Sequence, residues 1–373
     1  MSEISELDER LDLEMKNKIK SVGGELDAKK RSATFLQVDQ DVKIASTFLK
    51  GVEVMGIRQA MKKYSWVEDY IWRAVDREKD EYTMLADSED VNGYFIRALP
   101  GEKVEIPVEA CLYLRTIGWT QKVHNIIIAE EGSELNIISG CASHPGVKSG
   151  MHVGISEFYV KKNAKITFTM IHSWERDVEV RPRSAAIVED NGVFISNYVL
   201  MNPVKIVQMY PTAYLQGKKS TAIFSSIIVA LENSFVEAGS RAILKGEKSS
   251  AEIFSRTISR GGEIIARGHI SGESPDVKGH LECRGLMLSE KGAIHAIPEL
   301  EARHPNVDLS HEAAIGKIAE EEIFYLMSRG LTRDEATAAI IRGFMDIDIK
   351  GLPEALKKEI DKAISLVEKD ITT

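Results

Sequence analysis

The chain has 373 residues, of which 43% are hydrophobic and 28% are charged. This composition is typical of a globular protein with a sizeable core, and it excludes wholesale disorder. The formal net charge of −9 argues against a nucleic-acid-binding protein, which would carry a basic surface. We expect no membrane span, because no run of about 18 apolar residues occurs, and no secretory signal, because the acidic start lacks a basic-then-apolar order. Three widely spaced cysteines argue against a disulfide framework and favour a cytoplasmic protein.

The first region, residues 1–90, contains few glycines and is predicted to be mainly helical. A helix over 11–20 is predicted to end at the glycine pair 23–24, which suits a C-cap. Apolar residues spaced three or four apart over 57–71 are typical of an amphipathic helix. We therefore predict an N-terminal helical region.

The middle region, residues 91–312, has β-branched runs separated by short turn phrases, each with a glycine or an asparagine. The marker residues of these turns are Gly132, Asn163, Gly192, Gly217, Asn233, Gly246, Gly262 and Gly292. Successive markers lie 13 to 16 or 25 to 31 residues apart, which is one step or its double. A sandwich or mixed sheet also has turns roughly every 8–12 residues, but a doubled step is typical of a β-solenoid. We predict a mainly β solenoid core between helical flanks.

The last region, residues 313–373, shows helical spacing. Its first apolar stripe comprises Ile315, Ile318, Ala319, Ile323, Leu326 and Met327. Gly330 is predicted to end that helix, and Thr332 with Glu335 forms the pattern of a capping box for the next. Pro353 suits the first turn of a final helix.

Most catalytic signatures are absent from the sequence. It contains no P-loop, no dinucleotide-binding glycine pattern, no nucleophile elbow, no Cys-x-x-Cys pair and no His-Glu-x-x-His. We therefore expect no stand-alone enzyme. Cys141, which follows a predicted strand, is either a reactive thiol or a packed one.

A possible metal site lies near the end of the predicted solenoid. Cys283 and His311 are 28 residues apart, about one double step, so they could stand on adjacent rungs of one face and share a metal ion. The alternative is that Cys283 is a small buried hydrophobe. In that reading, His311 is an exposed neighbour of Ser310, which would cap a helix beginning near Ala313.

Several ordered segments resemble the SUF-system scaffold family that includes SufB and SufD. They are ELE (299–301), SHEAAIGKI (310–318), EEIFYLMSRGL (321–331) and GF (343–344), with GCAS (140–143), KNAKI (162–166) and IHSW (171–174) in the middle region. The similarity covers residues 100–345. The chain resembles the compact members that act as a single B-type scaffold.

This resemblance implies a right-handed parallel β-helix flanked by N- and C-terminal helical regions. It implies a scaffold for de novo iron–sulfur cluster assembly and transfer, with the ATPase activity on a separate SufC-type ABC ATPase. The cluster would be built at the interface of a homodimer, or of a heterodimer with a second SufB- or SufD-type chain, and then passed to apo acceptor proteins. We expect a transient cluster of the [4Fe–4S] type, with none tightly bound to the isolated chain.

The resemblance also implies roles for particular residues. Cys283 falls at the family's cluster-assembly cysteine, and His311 and Glu312 match the histidine and acidic residue that accompany it, so these three are the candidate metal ligands. Ser310 departs from the glutamate of SufB and resembles SufD.

Further matches suggest a route for sulfur and a docking face. Cys141 matches a cysteine thought to receive sulfur, with His172 and Trp174 on an internal path toward the assembly site; His172 replaces a glutamine of that path. The C-terminal helices would dock the ATPase through Ile323, Phe324, Leu326 and Met327.

Two rival functions are retained. A SufD-like structural partner would bind the ATPase without its own cluster site, and Cys283 is the residue that discriminates against it. A β-helix enzyme acting on polysaccharides is the second rival; such enzymes are mostly secreted, and no signal sequence is expected here.

Overall fold

The structure, a computed structural model, describes residues 13–22 and 31–345. The predicted β-solenoid is confirmed: 54% of the residues lie in strands, which form about 8 turns, and the few helices lie toward the termini. The predicted C-cap at 23–24 and the final helix near Pro353 lie outside the described residues. Within the described part, no helix has the length and apolar character needed to cross a membrane.

The described chain contains 21 strands. In chain order they are β1 (Ala33–Val38), β2 (Asp41–Thr47), β3 (Val52–Gly56), β4 (Tyr94–Ala98), β5 (Lys103–Leu114), β6 (Thr120–Ala129), β7 (Glu134–Ser143), β8 (Gly150–Val160), β9 (Lys165–Ser173), β10 (Val178–Val180), β11 (Arg183–Val188), β12 (Val193–Leu200), β13 (Ile206–Met209), β14 (Thr212–Leu215), β15 (Thr221–Leu231), β16 (Phe235–Leu244), β17 (Ser250–Arg260), β18 (Glu263–Gly272), β19 (Val277–Met287), β20 (Ala293–Ala302) and β21 (Val307–Gly316). The helices are α1 (Leu13–Ser21), α2 (Ile57–Lys63), α3 (Glu81–Ala86), α4 (Glu320–Ser328) and α5 (Arg333–Met345), with a 3-10 helix at Ser65–Tyr70.

The strands form two sheets that run along the solenoid. The first sheet has the order β2-β1-β5-β7-β9-β12-β15-β17-β19-β21, and the second contains the intervening strands, with β16, β18 and β20 at its C-terminal end. Apart from the β1–β2 and β3–β4 pairs, the paired strands are parallel. Each rung therefore contributes one segment to each sheet.

Alternation of side chains along each strand sets the core. Phe224, Ile253 and Leu281 stand in register on β15, β17 and β19, and all three are buried between the sheets. We call the side of each sheet that faces the other sheet its inner face. Because neighbouring parallel strands are paired in register, a residue that points inward on one rung stands on an inward-pointing residue of the rung before.

The turns that separate the rungs explain the glycine and asparagine markers. The left-handed conformation falls on Gly132, Asn163, Asn233 and Gly292, but Gly217 and Gly246 have a different role. A Cβ at Gly246 would collide with the carbonyl oxygen of Gly217, because successive turns stack backbone against backbone.

The N-terminal region differs from the mainly helical prediction for 1–90, because strands β1 to β3 occupy much of 33–56. All six residues of β1 are buried, and β1 pairs with β5 in parallel and with β2 in antiparallel orientation. The segment thus extends the first sheet. A strand that is buried on both faces shows no alternation of polarity, which removes the usual sequence signal.

A buried carboxylate fixes the rest of the N-terminal region against the second sheet. Glu157 on β8 is fully buried, and its oxygens accept hydrogen bonds from the backbone N–H groups of Trp72 (2.6 Å), Ala74 (2.5 Å) and Val75 (3.1 Å). His124 Nε2 lies 2.7 Å from the same carboxylate. These contacts satisfy polar backbone groups that burial would otherwise leave unpaired.

The C-terminal helices begin later than the apolar stripe predicts. Ile315 lies on β21, and α4 begins only at Glu320, so the alternative in which Ser310 caps a helix near Ala313 is wrong. The capping box is confirmed: Thr332 Oγ1 accepts from the Glu335 N–H at 3.3 Å, and Glu335 Oε2 accepts from the Thr332 N–H at 2.8 Å. Helix α5 packs on the outer face of the first sheet.

We expect the stacked turns to tolerate no side chain at Gly246. Gly246→Ala should lower the free energy of unfolding by about 2 kcal/mol or more, since the new Cβ forces two adjacent turns apart. Urea unfolding followed by circular dichroism measures the change. Gly343→Ala on α5, where a Cβ meets open space, is the matched control and should be neutral or stabilising by up to about 1 kcal/mol. Equal urea midpoints for Gly246→Ala and wild type would contradict the stacking argument.

Candidate functional site

Cys283 lies on the inner face of β19, close to the C-terminal end of the solenoid. Its side chain is buried, and it stands in register between Ser255 on β17 and Ala313 on β21. Burial, followed by the charge of Glu282, raises the pKa of the Cys283 thiol to about 11, while Arg256 opposes this shift. In this environment the thiol is protonated at neutral pH.

His311 shares the inner face with Cys283, whereas Glu312 does not. His311 is in register with buried Leu281 on the neighbouring strand, so it lies two residues along from Cys283 on the same side of the sheet. Glu312 is in register with Glu282 and therefore faces the outer side. Among residues 13–22 and 31–345, no three His, Cys, Asp or Glu side chains are placed to hold one metal ion.

The outer face behind Cys283 is a charged cluster. Glu282 Oε1 forms ion pairs with Arg256 Nη1 and, at 3.1 Å, with Arg284 Nε. The Glu282 and Arg256 side chains are only 11% and 12% exposed. These ion pairs hold the strand that carries Cys283 to its neighbour.

The last rung, which contains His311, is an open edge in the described chain. Strand β21 ends the first sheet, and β20 pairs only with β18 in the second. Most residues of β21 are exposed, including His311, Glu312 and Ile315. An edge strand presents unpaired N–H and C=O groups that can pair with another chain.

Cys141 lies on the inner face of β7, five strands away from Cys283 in the first sheet. Its side chain is 1% exposed, and burial raises the pKa of its thiol to about 12, although Ser139 opposes the shift. His172 on β9 stands in register beside it, and Trp174 follows in the next loop. The family resemblance implies that these three residues lie on one path, and all three are buried in this part of the solenoid.

Two histidines and a tryptophan form a polar group around Cys141. His172 Nδ1 lies 3.1 Å from the Tyr198 hydroxyl, and His152 Nδ1 lies 2.8 Å from Gln121 Oε1. The rings of His152 and His172 both pack against Trp174. Burial lowers the pKa of His152 to about 3 and that of His172 well below its usual value, so both rings are neutral.

From His172 a row of hydroxyl groups continues toward Cys283. Tyr198 stands in register with Ser226, Ser226 Oγ lies 3.2 Å from Ser255 Oγ, and Ser255 is in register with Cys283. We call Cys141, His172, Tyr198, Ser226, Ser255 and Cys283 the inner polar column. A cavity of about 30 Å³ opens beside its middle, next to Tyr198 and Ser226.

Sequence reasoning missed the middle of this column. Tyr198, Ser226, Ser255 and Cys283 follow one another at steps of 28, 29 and 28 residues. A search for polar residues spaced by one full rung would have found them, whereas no signal in the sequence marks His152 as their neighbour.

The third cysteine and the predicted docking residues lie elsewhere. Cys111 is on the outer face of β5, where it packs in a cluster with Met15 and Ile19 of α1. Of the four docking residues, Ile323 is buried and Leu326 is partly buried, whereas Phe324 and Met327 are 58% and 36% exposed. Only part of the predicted face is therefore open to a partner.

The chain is similar to known proteins over most of its length. Residues 115–344 match the family model described as SUF system FeS cluster assembly, SufBD core domain. A protein of Archaeoglobus fulgidus named Iron-sulfur cluster assembly SufBD family protein is 69% identical over 95% of this chain and 96% of its own. Similarly named proteins are 49% identical in Methanothermobacter thermautotrophicus strain Winter (92% of this chain, 85% of the relative) and 30% identical in Pyrococcus horikoshii (95% and 80%).

These matches, on a β-solenoid with a buried cysteine near its open end, define a component of iron–sulfur cluster assembly. The chain belongs to the SufBD family of the SUF system. Members of this family are scaffold-type components and not enzymes themselves.

The neutral histidines near Cys141 predict a pH-dependent stability. An unfolded chain binds a proton at His152 below about pH 6.5, whereas the folded protein, with a pKa of about 3, does not. Folding stability should therefore fall as the pH falls, by about 2 kcal/mol between pH 6.5 and 5 for this group. The variant His152→Gln keeps a hydrogen-bond donor for Gln121. It should lose the part of the pH dependence of stability that comes from His152, while the part that comes from buried His172 should remain.

Urea unfolding at pH 7 and pH 5 measures both slopes. The control is His295→Gln, at an exposed position on β20, which should retain the wild-type slope. A His152→Gln protein with the full wild-type slope would show that His152 is not the group responsible.

Proposed function

We propose that this chain is a scaffold on which iron–sulfur clusters are assembled de novo at the interface of a dimer and then transferred to apo acceptor proteins. The observation that carries the proposal is that Cys283 and His311 lie on the same inner face of neighbouring strands, with His311 on the exposed last rung and Cys283 on the rung before it. A buried thiol beside an exposed histidine at an unpaired edge is a half-site that a second chain would complete.

The ligand count favours a dimer. A stable [4Fe–4S] cluster is usually held by four thiolates, but each chain offers only Cys283 at this end. A two-fold dimer would bring two cysteines and two histidines to one interface. Such a mixed ligand set should hold a cluster weakly, which suits a protein that must release it. The partner chain is a second copy or another SufB- or SufD-type chain.

Glu312 is the least well placed of the three proposed ligands. It faces the outer side of β21, opposite His311. We propose that it acts at the rim of the interface, where an edge strand that is paired on one side only can twist or bulge to turn a side chain. Cys283 and His311 are the primary pair.

The inner polar column supports the proposed sulfur path. Cys141 would accept sulfur at one end, and the groups from His172 to Ser255 line the way to Cys283. Trp174 packs against His172 and closes the column at the Cys141 end. A series of neighbouring polar side chains is unusual inside a core that consists mainly of aliphatic and aromatic residues.

We propose that a SufC-type ABC ATPase docks on α4. The sequence has no P-loop, so nucleotide hydrolysis would be supplied by another chain. Phe324 and Met327, together with Tyr325, leave large apolar area exposed on this helix. The three described cysteines are free and buried, in keeping with the proposed cytoplasmic setting.

The second candidate function is a structural partner that binds the ATPase without a cluster of its own. Ser310 favours it, because this position resembles SufD, and in the structure Ser310 Oγ is engaged with His280 Nδ1 at 2.9 Å. Cys283 argues against it, because a partner without a cluster has no need of a thiol at the end of a polar column.

Anaerobic reconstitution with ferrous iron and sulfide should distinguish these two functions. Wild type should form a dimer with thiolate-to-iron charge-transfer absorption in the visible range, and Cys283→Ala should lose nearly all of that absorption. Cys111→Ala, on the outer face, is the matched control and should bind iron like wild type. If wild type binds no iron, or Cys283→Ala binds equally well, the structural-partner function is favoured.

A second experiment tests the docking helix. Phe324→Asp should weaken binding of the SufC-type ATPase at least tenfold, because it places a charge where apolar area would be buried. Titration calorimetry with the purified ATPase measures the affinity. Leu85→Asp, which charges an exposed apolar position in the N-terminal region, should bind normally. An unchanged affinity for Phe324→Asp would place the ATPase elsewhere.

A further inference from the structure

The two inner cysteines are too far apart to exchange sulfur directly. Cys141 on β7 and Cys283 on β19 are separated by five strand-to-strand steps of the first sheet. At about 4.8 Å per step, this is about 24 Å. A persulfide is passed between cysteines only when one sulfur can attack the other, which requires contact.

No other thiol bridges this distance. The chain has three cysteines, and the third, Cys111, lies on the outer face of β5, before β7 in the sheet. A relay of sulfane sulfur from thiol to thiol along the column is therefore excluded. The sulfur must leave Cys141 as a small molecule if it is to reach Cys283 through the interior.

The interior between the two cysteines contains no ionic side chain. From β7 to β19, the inward-facing residues of the described strands are apolar or carry hydroxyl, thiol or imidazole groups, and none is Lys, Arg, Asp or Glu. An unpaired anion in such a medium carries a large desolvation cost. The same burial keeps the Cys141 thiol protonated and the imidazoles of His152 and His172 neutral.

The size of the void also limits the mobile species. The cavity of about 30 Å³ beside Tyr198 and Ser226 is lined in addition by Met170, Ser184 and Ser240. About 10–15 Å³ of such volume accommodates one water molecule. The cavity therefore has room for about two or three water-sized molecules, which is enough for a species with one heavy atom and too little for a thiol carrier.

We propose, building on the proposed scaffold function, that sulfur crosses the solenoid interior as neutral hydrogen sulfide. Sulfide already has the oxidation state that it keeps in the cluster, so no electron transfer is needed along the column. At Cys283 its protons leave as it binds iron.

Release at the Cys141 end requires two electrons, which a pair of thiols supplies. Cys141–S–SH and two R–SH give Cys141–SH, H₂S and R–S–S–R. The sulfur–sulfur bond of the persulfide breaks, the outer sulfur is reduced, and one thiol proton goes to each sulfur that was in that bond. The two thiol sulfurs are oxidised to a disulfide.

The test uses the full chain with Cys111→Ala, so that only the two inner thiols are present. The protein is treated with ³⁴S-labelled cysteine persulfide, freed of reagent and mapped by mass spectrometry. Ferrous iron and excess unlabelled sulfide are then added anaerobically, with or without dithiothreitol. Without dithiothreitol, we expect the label to remain on Cys141. With dithiothreitol, we expect the label to appear as iron-bound, acid-labile sulfide that the unlabelled sulfide in solution has not diluted.

Variants at the cavity test the route. Ser226→Leu should fill the void and lower the retained label at least tenfold. Glu252→Leu, which places the same side chain at an exposed position on β17, is the control and should change the label less than twofold. Ser240→Val, on the facing sheet, reduces the cavity by a smaller amount and serves if the leucine variant does not fold. It should also lower the amount of label retained in the iron-bound sulfide.

Three outcomes would overturn the proposal. Labelled persulfide on Cys283 without dithiol would show that sulfane sulfur itself crosses the interior. Complete dilution of the label would show that sulfide leaves to solution before it reaches iron. If Cys141 takes up no label at all, the proposed sulfur-accepting role of Cys141 fails, and this inference fails with it.

Discussion

In-register stacking of parallel rungs is the constraint on which the rest of the structure depends. Each inward residue stands on the inward residue of the rung before, as Phe224, Ile253 and Leu281 do. A polar residue at one inward position is therefore most easily satisfied by another polar residue one rung away, as Ser226 is by Ser255. The inner polar column follows from this rule. Its hydroxyl, imidazole and thiol groups occupy inward positions on successive rungs, and aliphatic residues occupy most of the other inward positions.

The same repetition places the proposed cluster site at one end. At the N-terminal end, β1 extends the first sheet and β3 extends the second, and Glu157 on β8 binds the backbone of residues 72–75. The last rung has no such cover in the described chain, and His311 lies there. The inner polar column therefore has two different ends: it begins at buried Cys141 and ends next to the open edge. A β-sandwich of the same composition would not place its polar residues in such a series.

Much of the fold could be predicted from the sequence, and the errors have physical causes. The turn markers predicted the solenoid, because tight corners need glycine or asparagine. The spacing of 28 residues correctly predicted that Cys283 and His311 lie on adjacent strands of one sheet. The rung there spans 30 residues, however, so Cys283 is in register with Ala313 and His311 is in register with Leu281. Glu312 could not be assigned a face without that register. Strand β1 was missed because it is buried on both faces and shows no alternation of polarity.

The open last rung also bears on how this protein persists in a cell. A solenoid gains stability from each interface between neighbouring rungs, so a terminal rung with one neighbour is the weakest part of the stack. In the proposed dimer, the second chain would cover β20 and β21 and stabilise the fold, and this stabilisation would grow with the concentration of the second chain. The amount of scaffold in the cell and the stability of each molecule are then coupled. Under the proposed pairing, proteases would degrade the unpaired chain more readily than the paired one.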